Sequence, residues 1–164
     1  MMIDEIKYEH LLGTEFNHGK QDCYTLIQQF YRDNFDISLR DYARPTKWWD
    51  RDMDLYSDNF RTEGFEVVDL HIRDWQPGDL IMMAIQTSVA CHAGIWIGDN
   101  KILHHFLNRR SNIENYSGIW RNNTVFVLRH NEVKELKQRS ITYDIMEDPR
   151  IKSKLGGVLD GKTS

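Results

Sequence analysis

At Gln76 the texture of the sequence changes. Before it, Leu26, Ile27, Phe30 and Tyr31 recur at the spacing of one face of an amphipathic helix. After it, the turn signal Gln76-Pro77-Gly78-Asp79 opens a buried-strand run, DLIMMAI (79–85). CHAGIWI (91–97), the turn Gly98-Asp99-Asn100, KILHHF (101–106) and TVFVLR (124–129) continue it. One helix followed by four short strands with hairpin punctuation predicts an α+β fold, the helix packed on an antiparallel meander.

Length and charge bound the rest. With 164 residues, 40% of them hydrophobic, the chain has room for one ordinary domain and its core but not for a second. Its formal charge of -4 is scattered along the sequence, so no basic face is expected and nucleic acid is not an expected partner. No apolar run approaches the roughly 18 residues of a membrane span. The opening MMIDEIKYEH lacks the basic-then-apolar layout of a signal peptide, so synthesis in a cytoplasm is the expectation. Two cysteines, Cys23 and Cys91, are too few for a disulfide framework and suit a compartment that leaves both as thiols.

The expected domain covers 1–130. Within it, residues 40–64 mix charge with Trp48, Trp49, Tyr56 and Phe60 without a clean period, which predicts irregular structure with a short helical stretch. Residues 131–164 are polar, poor in large apolar side chains, and read as an extension or docking arm.

The candidate chemistry begins at Cys23. Gly13, Thr14, Asn17 and Gly19 read as loop, Asp22 as an N-cap, and Cys23 then falls in the first turn of the helix. There the dipole and unpaired backbone N–H groups lower a thiol pKa and favour the thiolate. Alone, such a cysteine is as readily a small buried residue. Strand alternation places His92, Gly94 and Trp96 on one face, and the Gly-Asp-Asn hairpin brings His104 within reach of His92. By themselves the two could be a satisfied pair of strand histidines. A thiol, a base and a group that orients the base are, however, the three parts of acyl transfer by a cysteine nucleophile. Zinc held by Cys23, His92 and His104 is the other chemical option, but there is no close-spaced ligand pair, and neither a metal nor a cofactor is expected. Cys91, on the opposite strand face from His92, reads as a core thiol, His105 as a surface residue or substrate contact, and Trp48 and Trp49 as packing over the helix in preference to lining a substrate groove.

Taken in order, GTEFNHGKQDCYTL, QPGDLIMMA and HAGIWIGDNKILHH resemble the successive motifs of the NlpC-type papain-like cysteine peptidases of bacterial cell walls, over about residues 12–129. The opening Asp-Cys-Tyr-Thr-Leu is most similar to the branch found in tailed-phage tail assembly. The resemblance implies a papain-like NlpC-type fold, with Cys23 as nucleophile, His92 as base and His104 as the third polar residue. It also implies a peptidoglycan stem peptide as substrate, tail-tip proteins as partners and a place in the virion tail tip. In the family the loop before the cysteine carries a tyrosine whose hydroxyl helps polarise the scissile carbonyl, and Phe16 stands at that position. The expected oxyanion donors are then the backbone N–H of Cys23 and a neighbour such as Asn17 or His18, next to the capping Asp22. The missing hydroxyl also supports an alternative, a catalytically weak or inactive structural tail-assembly protein on the same fold. A further alternative, an acyltransferase on a related scaffold, would require an apolar substrate channel.

Overall fold

The computed structural model describes residues 6–45, 47–48 and 54–133. Contacts group Ile6–Asn131 into one compact unit. The other unit, Met1–Glu5 with Glu132–Ser164, is described only at Glu132 and Val133, so the arm expected over 131–164 lies almost wholly outside the described residues.

Helix α1, Cys23–Phe35, forms where the apolar spacing predicts it and buries Tyr24, Leu26, Ile27, Phe30, Tyr31, Asn34 and Phe35. Asp22 caps it by accepting from the Thr25 backbone N–H, and Asp36 ends it in the left-handed conformation, φ 55°. A second, short helix, α2 (Leu55–Asn59), lies inside the irregular stretch and is capped by Asp54. Trp49 lies outside the described residues, whereas Trp48 is buried.

Among the described residues the sheet has six strands where the sequence predicts four. They are β1 (Phe65–Val68), β2 (Leu80–Met83), β3 (His92–Gly98), β4 (Lys101–His104), β5 (Asn112–Asn115) and β6 (Thr124–His130). Every pairing is antiparallel, in the order β1-β6-β2-β3-β4-β5. Thus β2, β3 and β4 pair as the first three strands of the expected meander, but β5 takes the place expected of β6, which instead returns to the far side of β2, and β1 adds outside it. The two strands that escape the sequence reading are edge strands. β1 (Phe-Glu-Val-Val) and β5 (Asn-Ile-Glu-Asn) are short and half-exposed, and neither shows a sustained hydrophobic alternation.

One face of the sheet packs against α1: Tyr24 and Ile27 meet Leu80, Phe65 and Leu128 around a small apolar cavity. The Tyr31 hydroxyl donates to the Gly78 carbonyl and ties the helix to the turn before β2. In that turn buried Asp79 accepts from the Gln76 N–H at 2.8 Å and from Arg129 at 2.9 and 2.8 Å. A buried charge is tolerable only when paired in this way. On the other face Ile81, Met83, Trp96, Ile102, Tyr116 and Trp120 form a second apolar cluster.

Candidate active site

Cys23 occupies the first position of α1, held there by the cap. Asp22 accepts from the N–H groups of Gly19 and Thr25, from the Thr25 hydroxyl, and from Arg44 Nε at 2.8 Å. Burial works to raise the Asp22 carboxyl pKa, but the Arg44 and backbone hydrogen bonds outweigh it and hold the group below the usual carboxylate range.

The histidines follow from register. In an antiparallel sheet directly opposed residues share a face and diagonal neighbours are within side-chain reach. His104 lies opposite Gly94, two residues on from His92, and Glu114 lies opposite Ile102, two residues before His104. His92, His104 and Glu114 therefore run diagonally across β3, β4 and β5 on one face. His92 Nε2 is 2.9 Å from His104 Nδ1, and His104 Nε2 is 2.5 Å from the Glu114 carboxylate. Trp120 packs edge-on over His104 at 4.5 Å between ring centroids, and Phe106 does the same to His92 at 5.1 Å.

This row sets the tautomers. An ionised carboxylate only accepts, so His104 Nε2 carries the proton and its Nδ1 is a lone pair. His92 Nε2–H must then donate to His104 Nδ1, which leaves His92 Nδ1 as a lone pair available to remove a proton. His92 is held neutral, well below the usual histidine range, by burial first and then by the neighbouring charges of His104 and His105. For His104, burial outweighs the upward pull of Glu114, and its pKa is lowered as well.

Cys23 and His92 open onto a common cleft of about 300 Å³, with Phe16, His18, Arg44, Trp48, Tyr56 and His105 among its walls. The Cys23 sulfur lies 2.9 Å from the Tyr56 hydroxyl. Contrary to the expectation of a helix-activated thiolate, the Cys23 thiol is pushed up to about 11, chiefly by burial and next by the Asp22 charge. The Tyr56 hydroxyl, the Ala93 N–H and Arg44 oppose this without reversing it. At rest the cleft thus holds a protonated thiol and a neutral imidazole.

Of the other residues singled out in the sequence, Phe16 lines the cleft with its ring edge-on to His105 at 5.5 Å. The His18 Nε2 is occupied by the carbonyls of Arg44 and Pro45, at 2.7 and 3.2 Å. Asn17 pairs its backbone with Gln21 and is not part of the cleft wall. Cys91, expected in the core, is half-buried on the cleft wall, with its sulfur 3.7 Å from the Ile85 carbonyl. His105, read as a surface residue or substrate contact, is buried to 2% exposure where the cleft meets a polar groove, and among the described residues its Nε2 has no hydrogen-bond partner. No group of three or more His, Cys, Asp or Glu among the described residues is placed to hold a metal ion; the facing nitrogens of His92 and His104 are joined directly. No described helix is long and apolar enough to cross a membrane.

Residues 13–129 match the family model described as NlpC/P60. The chain belongs to the NlpC/P60 family. It is similar to Tail tip assembly protein K of Escherichia phage lambda, 37% identical over 121 residues that cover 74% of this chain and 59% of the relative. Protein K of Escherichia phage N15 is 32% identical over 126 residues, 76% of this chain and 51% of the relative. The chain therefore spans between half and three fifths of the length of these curated relatives. An NLP/P60 family protein of Staphylococcus aureus, described as similar to a lipoprotein, superposes with a TM-score of 0.51 at 20% identity, over 74% of this chain and 38% of that one. That likeness shows the NlpC/P60 fold, the α+β arrangement of helix and antiparallel sheet found here.

Two site residues escape a reading of the sequence: Glu114 and Tyr56. Glu114 sits in Asn-Ile-Glu-Asn, too short and polar to announce a strand, although its even spacing from His104 was a usable signal. Tyr56 lies in the aperiodic stretch before the sheet, and nothing local ties it to Cys23, which is 33 residues away.

Proposed function

We propose that this domain is a cysteine endopeptidase that hydrolyses an amide bond in peptidoglycan stem peptides, and that it is made in the host cytoplasm and carried in a phage tail tip. The observation that carries the reading is the row from Glu114 through His104 to His92, ending on the cleft that also holds Cys23. A core has no need for two buried imidazoles aligned by a carboxylate, and burying them costs stability. Membership of the family and likeness to two tail tip assembly proteins support tail-tip partners and location, and the substrate class rests on the resemblance of the sequence motifs to cell-wall peptidases.

In this mechanism His92 Nδ1 takes the Cys23 proton as the sulfur attacks the scissile carbonyl, and the carbonyl electron pair moves to oxygen. The imidazolium, stabilised through His104 by Glu114, gives that proton to the leaving amine as the tetrahedral intermediate collapses to a thioester. Water then attacks the thioester with His92 as base and releases the carboxylate product. The small apolar cavity between Tyr24, Ile27 and Tyr56, about 40 Å³, is not lined by Cys23 and so does not serve the thiol as an acyl channel.

The test is digestion of purified muropeptides by the wild type and Cys23→Ala, with products read by mass spectrometry. Amide cleavage that disappears in Cys23→Ala is the expected result and identifies the bond. No cleavage by the wild type would overturn the enzyme reading and leave a structural role in the tail.

A further inference from the structure

The residues that the loop before Cys23 places on the cleft wall, Phe16, His18 and Asp22, offer no side-chain hydroxyl to a developing oxyanion, and the Thr14 hydroxyl lies off that wall and donates to the Leu11 carbonyl. Phe16 has none, His18 Nε2 is occupied by two backbone carbonyls, and Asn17 lies off the cleft wall. A hydroxyl nevertheless reaches the nucleophile from another element. Tyr56, on α2, places its oxygen 2.9 Å from Cys23 Sγ and lines the same cleft. Its ring is fixed by Trp48, edge-on at 5.9 Å, and by Tyr24, tilted at 6.3 Å. The helix that carries it is anchored by the Asp54 side chain, which accepts from the Ser57 N–H at 3.1 Å.

We propose that Tyr56 is a catalytic residue: its hydroxyl, with the backbone N–H of Cys23, donates to the oxyanion of the tetrahedral intermediate and replaces the donor that Phe16 lacks. The proposal rests on the cysteine-nucleophile reading of the site. The oxyanion grows on a carbon bonded to Sγ, so its oxygen is only two bonds from the sulfur. A donor that touches the sulfur at rest needs only a small rotation to reach it. The Cys23 N–H, at the first position of α1, is one of the four N–H groups a helix leaves without an intrahelical partner. Burial and the neighbouring Cys23 hold the phenol well above its ordinary range, so it is protonated and able to donate at neutral pH. No bond to Tyr56 forms or breaks. It supplies a preorganised dipole in a site partly closed to water, where such donors act most strongly.

The experiment follows acylation of Cys23 by p-nitrophenyl acetate, read as nitrophenol release and as the mass of the acetylated protein, alongside alkylation by iodoacetamide. Acylation passes through an oxyanion; alkylation does not. Tyr56→Phe, which keeps the ring contacts, is expected to slow acylation by about a hundredfold or more, the usual loss for one such donor, while alkylation changes by only a few-fold. Adding Phe16→Tyr to Tyr56→Phe returns a hydroxyl to the cleft from the loop and is expected to recover part of the rate. Acylation of Tyr56→Phe at the wild-type rate would overturn the assignment. So would an equal loss in acylation and alkylation, because Tyr56 would then act on the thiol alone, and so would wild-type acylation no faster than that of Cys23→Ala. None of these outcomes depends on muropeptide cleavage, so a failure of the peptidoglycan reading is seen separately.

Discussion

Replacing Glu114 by Gln tests the polar row at its far end. Two hydrogen bonds of 2.9 and 2.5 Å with an imidazole between them put the carboxylate about 7 Å from the His92 ring, where an effective dielectric of about 20 gives about 2 kcal/mol of attraction for an imidazolium. Glu114 is 30% exposed, so salt screens part of this, and kcat is expected to fall by between about tenfold and thirtyfold. The charge matters most when His92 is protonated, after attack; KM should therefore change little. Loss of the anion also lowers the pKa of His104 and, through it, that of His92, so the acid limb of kcat/KM should move to lower pH. Muropeptide cleavage followed by mass spectrometry from pH 5 to 9 reads both effects. Nitrogen-15 spectra of labelled histidines supply a readout free of turnover. Both His92 and His104 are expected as Nε2–H tautomers in the wild type, with the His104 preference weakened in Glu114→Gln. Unchanged kcat, acid limb and tautomers would refute the idea that Glu114 positions the base.

Other outcomes follow from the same geometry. His92, His104 and His105 all have pKa values lowered chiefly by burial, so they add stability above the unfolded value of about 6.5 that is lost as pH falls; urea midpoints should drop between pH 7.5 and 5, and a flat profile would contradict this. Asp22→Ala removes the α1 cap and the main partner of Arg44, whose side chain is 6% exposed, and should cost about 3–5 kcal/mol by urea unfolding, with Asp22→Asn losing less. Gly78 has φ 100°, and a Cβ there would lie 3.0 Å from the Phe35 ring, so Gly78→Ala should destabilise by about 1–3 kcal/mol in the same assay.

What was legible in the sequence was local. The apolar spacing of Leu26 to Tyr31, with Asp22 as cap, placed Cys23 at a helix start, because helical period and capping act within a turn or two. The Gly98-Asp99-Asn100 turn paired β3 with β4 and so brought His92 to His104, because a tight hairpin sets register by itself. Tertiary structure alone decided the strand order, the addition of β1 and β5, and the residues that complete the site. Glu114 reaches His104 only because β5 pairs in one register, and Tyr56 reaches Cys23 only because α2 is set against the start of α1. The thiol pKa belongs with these. A helix terminus lowers it, burial raises it, and burial is a property of the packed molecule that no window of sequence carries.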